Sequence, residues 1–297
     1  MMKHKKPTLL ITLFLLPSMA VLIMYRWLPV LWNLILSFQD WKPLGSNEWI
    51  GGRNYQIMIT DPVFWEALEN TLVYFFVGTP IAIVLALILG LLVNEPIRGR
   101  NVYRTIIFLP YPITPVAIGL IWQWMLNDRV GLVNHVLRSL GIVEQGIPFL
   151  QSFEFALPSV IGTTIWQVVG YFMILVLAGL QTIPESLNDA ALIDGASPFR
   201  RTWSITLPLI KSTLFLCFII GIINSFTVFD MVYVMTNGGP GHATEFLVTY
   251  IYKNAFEFNR LGYSAAMTFV MFVVLLGVTF LSNRLSGGEA GGARHYE

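Results

Sequence analysis

The chain has 297 residues, 55% of them hydrophobic and only 12% charged, with a net charge of +1. A soluble domain carries roughly a quarter charged residues, so this composition belongs in lipid, and the near-neutral balance argues against a nucleic-acid partner. The single cysteine, Cys217, excludes an internal disulfide and a multi-cysteine metal site, the four histidines show no ligand spacing, and no cofactor is expected.

Lys3, Lys5 and Lys6 precede an apolar run that forms the expected first span, 8–28. A cleaved signal peptide would start in the same way. The run is long for one, however, and continues past Arg26 into WLPVLWNLILSF, which favours an uncleaved span. Arg26 would then snorkel to the outer interface, with Trp27 and Trp32 as belt aromatics. A polar stretch broken by Pro43, Gly45, Gly51 and Gly52 follows, read as an external loop. The second span, 71–93, is long enough for the ~30 Å hydrocarbon core, with Glu66 and Glu69 solvated ahead of it. After the basic loop NEPIRGRNVYR, the third span, 106–125, holds Pro110, Pro112 and Pro115. Prolines free backbone carbonyls, which a membrane tolerates where they are buried in protein or line a cavity. The segment 127–156 is external, with helical patterning in VNHVLRSLG, and the fourth span is 157–180. The fifth span is 209–228, an external segment contains the turn NGGPG, and the sixth span is 263–281.

The expected fold is therefore all-α: a polytopic membrane protein of six transmembrane helices, forming a single domain over 1–297. Arg98, Arg100 and Arg104 crowd one short loop, and Arg200, Arg201 and Lys211 another, whereas the long external segments are dilute in positive charge. The positive-inside rule then puts both short loops, and both termini, in the cytoplasm.

Between the fourth and fifth spans lies 184–208, PESLNDAALIDGASPFRRTWSITLP. Ser186 or Asn188 can cap a helix start, and Ala190, Ala191 and Leu192 are good helix formers. Gly195 allows a left-handed bend, and Ser197-Pro198 starts a second short helix before Pro208 opens the next span. An ordinary loop is the competing reading of such a stretch.

Its wording resembles the EAA loop of binding-protein-dependent ABC importer permeases. The matching residues are Leu180-Gln181, Ile183-Pro184, Asp189-Ala190-Ala191, Asp194-Gly195-Ala196 and Ile205-Thr206-Leu207-Pro208. The family's usual glutamate is Asp189 here, and Trp203 stands where Phe is common. Elsewhere Ser37-Phe38, Asp40-Trp41, Asn54-Tyr55, Asp61-Pro62, Phe64-Trp65, Arg104, Leu109-Pro110-Tyr111 and Asn237-Gly238-Gly239-Pro240 resemble further family segments. Together they point to the carbohydrate-uptake branch, alongside the larger maltose permease and the glycerol-3-phosphate permease.

The resemblance implies a subunit in a bacterial plasma (inner) membrane, working with a second homologous permease, two ATP-binding subunits and an external solute-binding protein. It also implies that Asp189, Ala190, Ala191, Asp194, Gly195, Ala196 and Trp203 form a cytoplasmic coupling helix that sits in a cleft of the ATPase, and that a sugar-like cargo passes by alternating access. A cavity for sugar needs hydrogen-bonding groups and aromatic faces near mid-membrane. Tyr111 and Thr114 in the third span, Thr164, Trp166 and Gln167 in the fourth, and Asn224, Ser225, Phe229 and Asp230 in or just after the fifth are the candidates. Each has a competing reading as a helix–helix hydrogen bond, an aromatic belt residue or, for Asp230, a helix-end carboxylate facing water.

The chain has no Gly-x-x-x-x-Gly-Lys-Ser/Thr phosphate loop, no His-Glu-x-x-His and no Gly-x-Ser-x-Gly, so enzyme chemistry of those types is not expected. An ion-coupled secondary transporter would need mid-membrane charge, which is nearly lacking. A permease for a polyamine or a phosphate ester would need charge in the cavity, for which Asp230 is the visible candidate.

Overall fold

The computed structural model describes residues 6–41 and 47–285. Lys3, Lys5, the 42–46 part of the first external loop and the tail lie outside these. Among the described residues the chain is helical, apart from a single short rung in which Gln39–Asp40 (β1) pairs antiparallel with Glu48–Trp49 (β2). In chain order the helices are α1 (Ile11–Leu36), α2 (Arg53–Thr60), α3 (Pro62–Asn94), α4 (Arg100–Phe108), α5 (Pro115–Met125), α6 (Leu132–Ser139) and α7 (Ala156–Leu180). There follow α8 (Glu185–Ile193), α9 (Pro198–Leu209), α10 (Lys211–Thr227), α11 (Asp230–Met235), α12 (Leu247–Tyr252) and α13 (Leu261–Leu285).

Four of these, α1, α3, α7 and α13, are long and apolar enough to cross a membrane. The pair α9 and α10 is also apolar enough when taken together, but the two helices meet at 69°. The bend falls at the buried Ile210 rather than at Pro208, which sits inside a helical turn that tolerates it. The expected third span is two helices, α4 and α5, broken where Pro110 and Pro112 supply no N–H. The first span is longer than expected, so Arg26 lies within α1 and not at its end; Glu66 and Glu69 likewise belong to the first turns of α3.

Among the described residues four helices widen for one turn, at Ile23–Trp27, Tyr74–Gly78, Thr202–Thr206 and Lys253–Glu257. The first three wide turns each end two residues before a proline, namely Pro29, Pro80 and Pro208. A proline ring clashes with the carbonyl four residues earlier, and that carbonyl falls inside the widened turn in all three cases. The wider turn moves the carbonyl aside, so the helix passes the proline without breaking.

The chain divides into two compact units. One comprises residues 1–61 and 251–273. Within it the buried Asn54 carboxamide donates to the Ser37 and Gln39 carbonyls at 2.9 and 3.0 Å, and Ser37 Oγ lies 2.7 Å from the Tyr55 hydroxyl. The Asn33 amide donates to Ala265 O at 3.1 Å, and the Tyr263 hydroxyl to Asp61 Oδ2 at 2.6 Å.

The other unit comprises residues 62–250 and 274–297. Its lower core sets Ala82 and Ala86 of α3 against Phe172, Met173 and Val176 of α7, with Cys217 of α10 closing the cluster. Small residues let these helices approach: a Cβ on Gly90 would sit 3.0 Å from Val176 Cγ1. The upper core joins Tyr74, Ile118, Val160, Met231 and Phe246. The outer segments are tied down by amides. Asn134 donates to the Asn127 and Ile147 carbonyls and accepts from the Ile147 N–H, while Asn70 donates to the His242 and Glu245 carbonyls, both at 3.1 Å.

Candidate functional site

The broken third span builds one wall of a cavity. α4 stops at Phe108, and α5 restarts with Thr114 as N-cap, whose Oγ1 accepts from the Ala117 N–H at 3.4 Å. The Ala117 N–H is one of the first-turn donors that have no partner inside the helix. The Ile113 carbonyl, just ahead of the cap, accepts from Gln167 Nε2 at 3.1 Å. Gln167, Gly170 and Tyr171 share one face of α7 by their spacing, and all three meet the break. Gly170 lets the backbones touch, for a Cβ there would lie 2.7 Å from Phe108 Cα. Tyr171 stacks on Tyr111, with ring centroids 4.4 Å apart and planes 7° from parallel.

A second break supplies the opposite wall. α10 ends at Thr227, Val228 is extended (φ −65, ψ 115), and Asp230 begins α11. The Val228 N–H still reaches Asn224 O at 2.9 Å. This kink turns Asn224, Thr227, Phe229 and Asp230 toward the same space as Tyr111, Thr164 and Gln167. The cavity measures about 300 Å³ and is open on one side. That volume is at the small end of ligand pockets, which run roughly 300–1,000 Å³. The Asn224 carboxamide, the Tyr111 hydroxyl and the Asp230 carboxylate have no hydrogen-bond partner among the described residues.

Six of the nine candidates thus line one cavity, and three do not. Thr114 caps α5 beside it. Trp166 faces outward, half-exposed and edge-on to Trp122. Ser225 is buried, donates to Gly221 O at 2.7 Å and lies 3.3 Å from Thr79 Oγ1, so its hydroxyl joins α10 to α3. The sequence reading missed Tyr74, which reaches the cavity from α3, and Met231. A signal for Tyr74 existed: it begins the turn widened by Pro80, and such turns re-aim side chains.

The stretch 184–208 folds as α8, a bend and α9. Pro184 and not Ser186 stands at the N-cap of α8. Its C-terminus is closed by Gly195 at φ +71, with Ala196 N–H to Ala191 O at 2.9 Å and Gly195 N–H to Leu192 O at 3.0 Å. That pair of bonds needs a left-handed residue between them. Ser197 caps α9 through the Arg200 N–H at 3.3 Å. Asp189, Ala190 and Asp194 are exposed, Ala196 is half-buried and Ala191 is buried. Ile193, Phe199 and Trp203 are 86%, 78% and 66% exposed, and the last two stack at 6.3 Å. An apolar surface so bare marks contact with a partner protein or with lipid. Among the described residues no group of three or more His, Cys, Asp or Glu could hold a metal.

Apolar helices around a polar, open cavity define a membrane permease. The model of the family described as the binding-protein-dependent transport system inner membrane component matches residues 78–287, and the chain belongs to that family, the permease subunits of ABC importers. It is 38% identical over 238 residues to the sulfoquinovosyl glycerol transport system permease protein SmoG of Agrobacterium fabrum, covering 80% of this chain and 77% of that one. The trehalose/maltose transport system permease protein MalF of Thermococcus litoralis is 33% identical, covering 91% and 90%. The lactose transport system permease protein LacF of Rhizobium radiobacter is 34% identical, covering 91% of both. The fold is also that of a chain in the crystal structure of a bacterial ABC transporter involved in alginate import, with a TM-score of 0.83, 24% identity, and coverage of 95% of this chain and 96% of that one.

Proposed function

We propose that the chain passes a sugar or sugar derivative from an external binding protein into the cytoplasm, as one of two permease subunits driven by a separate pair of ATP-binding subunits. The observation that carries this reading is the cavity, where unpaired hydrogen-bonding groups on Asn224, Tyr111 and Asp230 share about 300 Å³ with the Tyr111 and Phe229 rings. Sugars offer hydroxyls to the first and C–H faces to the second. The relatives named for trehalose/maltose and lactose transport support a sugar as cargo, and a neighbour solved with an alginate-bound periplasmic protein supports the same kind of partner.

In this reading the whole chain is one permease domain with six spans, the four long helices, the broken α4–α5 and the bent α9–α10. Both termini are cytoplasmic. Asp189, Ala190, Ala191, Asp194, Gly195, Ala196 and Trp203 belong to the coupling element, with the exposed Ile193, Phe199 and Trp203 as its docking surface. ATPase closure moves that element, and α5, α7 and α10 re-open the cavity outward. Thr114 acts by capping α5, Ser225 by joining helices, and Trp166 faces lipid or the second permease. The test is uptake of labelled sugars by vesicles holding the full complex and its binding protein. ATP-dependent uptake that falls about tenfold in Asn224→Ala supports the reading; uptake driven by a proton gradient in the absence of ATP rejects it.

A further inference from the structure

Twelve residues line the cavity, and Asp230 is the one acidic residue among them. No lysine or arginine lines it. The carboxylate is exposed, and no described residue gives it a hydrogen bond or an ion pair. The kink at Val228–Phe229 puts it at the first position of α11, within the same lining as Asn224 and Tyr111.

A carboxylate only accepts hydrogen bonds. Adjacent hydroxyls of a sugar can donate to its two oxygens, and bonds to a charged acceptor are roughly twice as strong as neutral ones. A phosphate, sulfonate or uronate on the cargo has no cationic counterpart here and meets a like charge. The carboxylate is exposed to an open cavity, so solvent weakens that repulsion but leaves its sign unchanged.

We propose that Asp230 restricts this cavity to uncharged sugars, acting both as a hydroxyl ligand and as a barrier to anionic ones. This rests on the cavity being the cargo site. A purely structural role is the competing account, since an acidic residue in the first turn favours a helix start. An asparagine there keeps the shape and is also a good helix-start residue, so Asp230→Asn removes the charge and little else.

The experiment is direct binding, measured by saturation-transfer NMR on the full complex in nanodiscs without the binding protein, so that its own selectivity does not intervene. The probes are lactose, maltose and trehalose, each paired with its 6-phosphate or uronate form. Wild type should bind a neutral sugar at least tenfold more tightly than the charged partner. Asp230→Asn should weaken the neutral sugar about tenfold and bring the two within threefold of each other, while Asp230→Glu keeps the wild-type preference. Equal binding of the paired sugars to wild type, or an unchanged preference in Asp230→Asn, overturns the role of Asp230 and leaves the cargo site standing if Tyr111→Ala still abolishes binding. Binding of neither class to wild type overturns the cargo site and this proposal together.

Discussion

Gln167 on α7 donates its side-chain amide to the Ile113 carbonyl across the break in the third span, at 3.1 Å. The carboxamide therefore holds the wall of the cavity as well as lining it. One of its two N–H donors is committed to the backbone. Tyr171 and Gly170, on the same face of α7, secure the same stretch by stacking and by close approach.

Removing that amide leaves a half-buried carbonyl unsatisfied, at a cost of about 1–3 kcal/mol. Gln167→Ala should lower the melting temperature of the complex in detergent and reduce uptake several-fold. Gln167→Glu, which swaps the donor for an acceptor, should be at least as damaging to both. A Gln167→Ala complex that melts with wild type and transports normally would show that the clamp is dispensable.

Tyr74 makes a second case for geometry set by a proline. It opens the wide turn Tyr74–Gly78, which ends two residues ahead of Pro80. Pro80→Ala lets the carbonyl of Phe76 find its helical donor, so the turn can tighten. One residue of register is about 100° of rotation, enough to carry Tyr74 out of the cavity. Insertion and yield should be unchanged or improved, with uptake reduced several-fold. Uptake equal to wild type, with normal yield, would free Tyr74 from any part in the cavity.

The sequence made the membrane class legible because apolar runs longer than 18 residues have few other uses. It also marked Gly195 and the Ser197-Pro198 start, since the backbone angles there admit few residue types. Less was legible where tertiary contacts decide. The prolines of the third span announced a break, yet nothing in 106–125 says that Gln167, some fifty residues on, closes it. Ser225 and Asn224 are adjacent polar residues on one helix, about 100° apart. The sequence could not tell which faced the cavity and which faced Thr79, because both directions look equally polar in one dimension. Asp230 was ambiguous for the same reason: its role depends on the kink at Val228–Phe229, which no proline or glycine signals.

Topology is checked by cysteine labelling. With Cys217→Ala as background, Ser197→Cys in the turn before α9 and Glu144→Cys after α6 are exposed positions, in loops that the six-span arrangement puts on opposite sides. An impermeant maleimide added to intact cells should label position 144 and leave 197 unlabelled until the membrane is opened. The reverse pattern would invert the orientation, and labelling at both positions would remove the span between them.

A substitution at the Gly195 bend tests the proposed coupling role apart from folding. Its φ is +71, and an added Cβ would meet nothing within 4 Å. A substitution there clashes with no part of this chain, so its whole internal effect is the local cost of a left-handed residue with a side chain, roughly 1–2 kcal/mol and most for a β-branched one. The hydrogen bonds from Gly195 and Ala196 back to α8 depend on that conformation. Relaxing it would swing α8 relative to α9 and separate Asp189 from Phe199 and Trp203. Gly195 belongs to neither buried cluster of the helices, so Gly195→Val should still insert and extract from the membrane in normal amounts. Gly195→Asn, which tolerates the left-handed region, should behave nearly as wild type. The valine variant should copurify with less than about a tenth of the normal ATPase, or keep it while hydrolysis no longer drives uptake. Normal ATPase stoichiometry together with normal transport in Gly195→Val would mean that 184–208 is not the coupling element.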